Sequence, residues 1–274
     1  MDWVTKLDRA FDKVGAAPGL RKVQEARYAR HFAENTAENL FHGVFDSFAA
    51  AEASAPRARP VGYDNPGSAD LAYATVASEW DYPAIFWLAT ALAEGHGTVF
   101  DLGGHVGVKY YAFRRFLGQR PELRWTVCDV PAVVARGTDL ARFRDPDHRL
   151  AFTTRCTDAS DHDVLFASGS LQYLPQTLGE MLRSLRRLPR WIVINTTPIH
   201  EAKSFFTLNS IGTAFCPYRV QARAPFIEAV RALGYDKRDE WQNNGKAPVL
   251  PFAAGHDVPR YSGFCFELGA RRTA

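Results

Sequence analysis

The sequence predicts an α/β fold built on a mainly parallel sheet, and three observations carry that prediction. From Thr98 onward, short apolar runs alternate with stretches patterned as helices, the order expected of strands laid side by side with helices over their faces. The first run, Thr98-Val99-Phe100-Asp101-Leu102, opens directly into the glycine-rich turn Gly103-Gly104-His105-Val106-Gly107, and a helical pattern follows from Val106 to Leu117. The last two strands, at about 235–242 and 260–268, have no helix between them, so they are expected to pair antiparallel.

Taken in order, residues 2 to 53 read as helical. Trp3, Leu7, Phe11 and Val14 lie on one apolar face, and Gly15 with Pro18 ends that helix. A longer pattern begins at Leu20 and places Phe32, Leu40, Phe41, Val44, Phe45 and Phe48 on its later turns. Ala55-Pro56-Arg57-Ala58-Arg59-Pro60 is a linker by composition, and Gly62-Tyr63-Asp64-Asn65-Pro66-Gly67 is a turn-rich loop. Ser68 is placed to cap the next helix. Asp81 is placed to cap another, with Pro83 in its first turn and Gly95 just past its end.

Strands are expected at 98–102, 124–129, 149–154, 163–168 and 190–195. Helices fill the gaps at 131–142 and 177–187, and another at about 223–233 ends at Gly234. This divides the chain into an N-terminal helical cap or substrate lid, residues 1–96, and a sheet domain, residues 97–274. No internal repeat is visible.

The chemistry concentrates where the first strand meets its helix. Glycine has no Cβ, so backbone N–H groups at a helix N-terminus can approach a ligand closely. A P-loop needs Lys-Ser/Thr after its last glycine, and here Gly107-Val108-Lys109 leads into Tyr110. A dinucleotide loop G-x-G-x-x-G needs glycines at 103, 105 and 108, and only Gly103 is present. The pattern that fits is D-x-G-G-x-x-G. One unit on, Leu123 to Cys128 reads as the next strand and ends at Asp129 before Val130-Pro131. A carboxylate at that strand tip accepts both hydroxyls of a ribose. The competing role for Asp129 is that of an ordinary turn residue before proline.

Asp101-Leu102-Gly103-Gly104 together with Cys128-Asp129-Val130-Pro131-Ala132-Val133-Val134 resembles the paired motifs of small-molecule O-methyltransferases. The fuller pattern is similar to a family of bacterial methyltransferases associated with surface-polysaccharide and natural-product loci. The matching stretches are Asp81-Tyr82-Pro83 with Phe86-Trp87-Leu88, DLGGHVGVKYYAFRRFL at 101–117 and the run from Asp163 to Leu174. Phe215-Cys216-Pro217-Tyr218-Arg219-Val220 and Tyr261-Ser262-Gly263 match as well, so the resemblance spans about Gly43 to the C-terminus. It implies a Rossmann-like class I methyltransferase fold, S-adenosyl-L-methionine (SAM) as cofactor, and an N-terminal segment closing over residues 97–274. The terminal hairpin belongs to that fold and not to the NAD-binding one. The resemblance does not imply a substrate.

By that resemblance Asp101, Gly103, Gly104, His105 and Gly107 form the cofactor loop, Asp129 holds the ribose, and Asp158 accepts the adenine amino group. Ser168, after the fourth strand of the sheet, passes beneath the cofactor. Glycine is common where this chain has His105, and two roles stand for that side chain: bonding the loop or a cofactor carboxylate, or acting as general base. His200, after the fifth strand, is a second candidate base, because histidine ordinarily titrates near neutrality. Tyr63, Gln172, Asn209 and Arg219 are the candidate substrate contacts, and the arginine fork suits a carboxylate or phosphate. One of Tyr110 and Tyr111 is expected at the cofactor and the other in the core. The run Thr157 to Asp163 offers carboxylates and an imidazole, but no metal is expected there.

The composition narrows the rest. A net charge of +3, from 33 basic and 30 acidic residues, is too balanced for a nucleic-acid binder. Cys128, Cys156, Cys216 and Cys265 have neither zinc nor disulfide spacing and are expected as free thiols in a reducing cytoplasm. The N-terminus carries charges where a signal peptide needs an apolar stretch, and the run from Ala84 to Ala93 is too short to span a bilayer. The expectation is therefore a cytoplasmic SAM-dependent methyltransferase acting on a small molecule or glycan precursor. A non-catalytic SAM-binding or partner-binding module and an NAD-dependent oxidoreductase are its rivals. The acceptor atom and the oligomeric state are not encoded in any motif here.

Overall fold

The computed structural model describes residues 18–71, 75–118, 120–245 and 247–269. The helix expected around Trp3 to Val14 lies outside them. Helix α1 (Pro18–Glu34) ends because Asn35 folds back on the chain: its Oδ1 accepts the Ala37 and Glu38 N–H groups, and its Nδ2 donates to the Glu38 carbonyl. A side chain bonding its own backbone in this way offers the chain an alternative to helix.

The next segment, Leu40–Phe45, is a strand (β1) and not the continued helix expected there. It pairs antiparallel with β7 (Phe205–Ser210), Leu40 opposite Ser210 and Phe41 opposite Asn209. Phe32 and Leu40 still share one buried cluster, with Leu208 and Phe215, so the apolar spacing marks a common core and not a common helix. Two short helices follow, α2 (Phe48–Ala53), capped by Ser47, and α3 (Pro66–Ala69). Asn65 caps α3, and Ser68 lies inside it. Helix α4 (Tyr82–Ala93) has Pro83 in its first turn and Gly95 just past its end, but Asp81 does not cap it.

The centre of the molecule is a Rossmann-like sheet. Strands β2 (Thr98–Leu102), β3 (Arg124–Cys128), β4 (Leu150–Thr153), β5 (Val164–Ser168) and β6 (Trp191–His200) lie parallel in the order β4-β3-β2-β5-β6. Helices α5 (Val108–Leu117), α6 (Pro131–Arg144), α7 (Leu178–Arg183) and α8 (Arg223–Arg231) occupy the connections. Strands β9 (Tyr235–Asn243) and β10 (Tyr261–Leu268) pair antiparallel with each other, and β10 also runs antiparallel to β6. The expected terminal hairpin is therefore present.

Both faces of the sheet are covered, which is why its strands read as continuous apolar runs. Val99, Trp125, Val127 and Phe166 pack against α4 and α5, while Phe100, Leu165, Ile192 and Phe264 pack against α7 and α8. Tyr110 and Tyr111 are both buried in the first of these layers. The Tyr110 hydroxyl donates to Asp145 at 2.6 Å.

Strand β6 runs five residues past the expected end and leaves the main sheet as it does so. Its first half pairs with β5, its pairing with β10 continues to Pro198, and its last two residues pair with β8 (Phe215–Ala222), Ile199 opposite Gln221. The change falls at Thr196, a β-branched residue at φ +57°, where the register of β10 also shifts. Strands β8, β7 and β1 thus extend the sheet beyond β6.

Candidate functional site

The turns after β3 and β5 meet the segment Gly103–Gly107 that leaves β2. Gly103 sits at φ +72° and donates its N–H to the Cys128 carbonyl at 2.7 Å, binding the loop to the end of β3. A Cβ on Gly103 would meet Ser170 Cβ at 2.3 Å, and one on Gly104 would meet Asp101 Oδ2 at 2.3 Å. Gly107, at φ +87°, precedes α5 and would press on Leu150. Three of the five positions in this loop therefore have no room for a side chain.

His105 has one and adopts φ +54°, a left-handed conformation that costs a non-glycine residue about 1–3 kcal/mol unless its surroundings fix it. Two hydrogen bonds do so. Its backbone N–H donates to Asp129 Oδ2 at 2.9 Å, and its Nε2 lies 3.0 Å from the Ser68 carbonyl. A carbonyl only accepts, so Nε2 carries the proton. The Tyr63 ring stands edge-on to the imidazole, with centroids 6.1 Å apart. The ring is 6% exposed and joins the glycine loop to the 63–68 segment.

The two strand-end carboxylates differ in their surroundings. Asp101 is 1% exposed and takes the Trp125 indole N–H on Oδ2 at 3.0 Å, while Oδ1 is buried with no hydrogen-bond partner. Burial pushes its carboxyl up to about 7, against the opposing pull of the Trp125 hydrogen bond. Asp129 accepts the Val130 N–H on Oδ1 at 2.8 Å and the His105 N–H on Oδ2. Burial raises its pKa too, and those two backbone hydrogen bonds oppose the rise. Each Asp129 oxygen keeps acceptor capacity beyond its one backbone donor.

Asp158 is held differently. Arg155 grips it through Nε and Nη2 at 3.0 and 3.1 Å, and the Thr153 hydroxyl donates to it at 2.7 Å. The Arg155 hydrogen bonds hold its carboxyl below the usual range. An adenine amino group would have to share a carboxylate already occupied on both oxygens. Nearby, His162 bonds the Asp158 carbonyl and the Thr126 hydroxyl, and Asp161 pairs with Arg186, so both serve the loop. Among the described residues no group of three His, Cys, Asp or Glu side chains is placed to hold a metal ion.

After β5, half-buried Ser168 is followed by Gly169 at φ +76°, and the Ser170 hydroxyl donates to the Leu102 carbonyl. Gln172 is 4% exposed. Its Nε2 donates to the Gly169 carbonyl at 2.9 Å, and its Oε1 is buried without a partner.

Two of the expected substrate and catalytic residues are placed otherwise. Asn209 is buried, its Nδ2 donating to the Leu40 carbonyl at 3.0 Å and its Oδ1 accepting the Tyr173 hydroxyl at 2.9 Å. It fastens β7 to β1 and to the turn after β5. His200 accepts the Ala202 and Lys203 N–H groups on Nδ1, each at 3.0 Å, so its proton sits on Nε2. The nitrogen it turns away from its own loop is a donor, and a general base needs an acceptor there.

Arg219 is 7% exposed, with its guanidinium over the Phe206 ring and Nη2 donating to the Pro175 carbonyl at 2.5 Å. Its Nε and Nη1 are buried without partners, and burial lowers its pKa.

Sequence reading missed the support beneath the loop. Buried Asp81 accepts Lys109 Nζ at 2.7 Å and Asn195 Nδ2 at 3.1 Å on Oδ1, and the Ser78 N–H and hydroxyl on Oδ2. Asn195 in turn accepts the Trp241 indole N–H at 3.1 Å. This network joins the start of α4, the first turn of α5, and strands β6 and β9. Its local signals are Asp81, read above as a helix cap, and Lys109, directly after the loop.

No protein-family model and no curated protein sequence matches the chain. Solved structures similar to it include the magnesium protoporphyrin IX methyltransferase of Synechocystis PCC 6803 with bound SAM, 12% identical over 68% of this chain and 79% of that one, at a TM-score of 0.42. The mitomycin 7-O-methyltransferase is 15% identical over 68% of this chain and 54% of that one, at 0.40. A glycopeptide N-methyltransferase complexed with SAM is 15% identical over 67% and 93%, at 0.42. At these identities the likeness is one of layout, and the chemistry rests on the residues above.

Proposed function

We propose that the chain is a SAM-dependent methyltransferase that O-methylates a small molecule or a glycan precursor, with residues 97–274 holding the cofactor and the 63–68 segment, joined to the loop through His105, closing over it. The observation that carries this reading is the glycine loop framed by two carboxylates, Asp101 and Asp129, at the ends of adjacent parallel strands. In open α/β sheets ligands bind in that crevice.

The residues fit such a cofactor. Asp101 Oδ1 is a buried acceptor lacking a protein donor, which suits a cationic amino acid moiety. Asp129 keeps acceptor capacity for a ribose. Gly103, Gly104 and Gly107 keep side chains off the loop, with His105 fixing its shape, while Ser168 and Asp158 line the path from β5 and β4. When bound, SAM supplies an electrophilic methyl group.

The chain's own contribution is positioning, which by itself accounts for several kcal/mol of barrier lowering in well-oriented reactions. Tyr63, Gln172 and Arg219 are the groups assigned to the acceptor molecule. Gln172 Oε1 and the Nε and Nη1 of Arg219 are buried polar atoms without protein partners, which favours a polar, anionic acceptor molecule. His200 meets it as a hydrogen-bond donor through Nε2. A carboxylate or phenolate acceptor needs no strong base, in keeping with the way both histidines are bonded.

Calorimetry with SAM, its demethylated product and NAD tests the cofactor, and transfer of labelled methyl to a panel of hydroxyl and carboxyl acceptors tests the reaction. SAM binding with label transfer supports the proposal. Binding of NAD alone overturns it.

A further inference from the structure

The cysteines have no informative spacing in the sequence, yet the fold brings two of them together. Cys128 ends β3, Cys156 opens the 3₁₀ turn Cys156–Asp161 after β4, and β3 and β4 are parallel neighbours. Their Sγ atoms lie 3.7 Å apart. The pair is asymmetric, since Cys128 is 3% exposed and Cys156 only half-buried, so a reagent from solvent reaches Cys156 first. The hydrogen bond between the two sulfurs holds the Cys156 thiol below its ordinary value and Cys128 above it. A thiolate-leaning, reachable cysteine beside a buried partner is the arrangement of an attacking and a resolving thiol. Burial raises the thiols of Cys216 and Cys265.

The position of the pair gives it a consequence. Cys128 directly precedes Asp129, and Cys156 stands two residues before Asp158. A disulfide requires the sulfurs to close from 3.7 Å to about 2.0 Å, drawing the end of β3 and the 3₁₀ turn toward each other.

We propose that Cys128 and Cys156 form an intramolecular disulfide by exchange with a low-molecular-weight disulfide such as oxidised glutathione, and that closing this bond distorts the wall between Asp129 and Asp158 and weakens cofactor binding. The Cys156 thiolate attacks one sulfur of the small disulfide, and the other sulfur leaves as a thiolate and takes a proton. Cys128, on losing its proton, attacks Cys156 Sγ in the mixed disulfide and expels the second small thiol. Two protein thiols and one small disulfide become one protein disulfide and two small thiols, so electrons and protons balance. The coupling to the cofactor rests on the function proposed above; the disulfide does not.

The test treats the full reduced chain with oxidised glutathione, then measures intact mass, maps non-reduced peptides, and compares SAM affinity by calorimetry before and after. The expected product is lighter by two hydrogens and yields one peptide linking Cys128 to Cys156. Cys128→Ser is expected to stop at a stable glutathione adduct on Cys156, and Cys156→Ser to stay unmodified at both positions. A wild-type chain that accumulates the adduct on Cys156 overturns the disulfide. With the bond formed, SAM affinity is expected to fall by about tenfold, within the usual range of coupling between sites, and to return on reduction. Equal affinity in both forms overturns the coupling. Absence of SAM binding by the reduced chain overturns the cofactor reading and the coupling with it, while the linked peptide decides the disulfide by itself.

Discussion

Replacing Asp101 with asparagine separates the electrostatic cost of this carboxyl from its packing. The side chain is almost wholly buried, one oxygen has a single neutral donor and the other has none, so the ionised form is poorly compensated. Its pKa moves from 3.8 to about 7. A carboxyl whose folded pKa lies above its unfolded one binds more protons in the folded state between the two values. Its contribution to stability is therefore complete below about pH 4 and is lost as the pH rises through about 7. At about 1.36 kcal/mol per unit, the full span is on the order of 4 kcal/mol, of which about 2.5 kcal/mol falls between about pH 5 and pH 8. An asparagine at this position keeps an oxygen for the Trp125 N–H and cannot ionise. Urea denaturation of both proteins across that interval is expected to show the wild type losing stability relative to Asp101→Asn by roughly that amount. Asp129 interacts with Asp101 through its charge, so the difference between the two proteins reports Asp101 together with that coupling. Parallel stability profiles would show that the carboxyl is not held in the way its surroundings indicate.

The remaining outcomes concern the loop and the histidines. Asp129→Ala removes the acceptor for the His105 and Val130 N–H groups, and SAM affinity by calorimetry is expected to fall at least about tenfold in a folded protein; unchanged affinity refutes the ribose assignment. Gly104→Ala forces a methyl against the Asp101 carboxylate, so thermal denaturation is expected to show a loss of about 1–3 kcal/mol, and an unaltered midpoint contradicts the close approach. His105→Ala is expected to weaken SAM binding and leave the pH profile of methyl transfer intact, because the imidazole ties the loop to Ser68. His200→Ala is expected to lower the rate modestly without removing any limb of that profile; loss of a limb with a histidine-like midpoint would restore its role as a base.

The sheet is legible in the sequence because its signals are local. Each of β2, β3, β5 and β10 is an apolar or alternating run within a residue or two of its expected bounds; β9, a largely charged strand, also falls within a residue of its expected bounds, and the missing helix between it and β10 announces their antiparallel pairing. Strand β1 reads as helix because what makes it a strand is distant: its partner β7 lies more than 160 residues further on. The helical spacing of Phe32, Leu40 and Phe48 is real, but Asn35 ends the helix by bonding its own backbone, a competition that spacing alone does not weigh. The hairpin of β7 and β8 is an insertion whose two strands pair with each other, while β1 and the extended end of β6 fix where it sits in the sheet.

The site divides along the same line. Asp101, Gly103, Gly104 and Asp129 meet where sequence order places them, because one strand-turn-helix unit fixes the first three and the next strand brings the fourth. Residue type alone does not settle His200, Asn209 and Asp158. A histidine is a base only if its lone pair faces the substrate, and His200 spends that lone pair on the Ala202 and Lys203 N–H groups. Asn209 joins strands that no local window connects, and Asp158 meets an arginine three residues away that its loop pattern does not single out. Arg219 is the opposite case. Its sequence neighbourhood offers only a planar cation in an insertion, whereas its Nε and Nη1 are buried without a hydrogen-bond partner in the protein. A buried, half-satisfied guanidinium is costly to maintain. An anionic group on an acceptor molecule would offset that cost, so under the proposed function the pointer to substrate chemistry lies in the inserted strands and not in the parallel sheet.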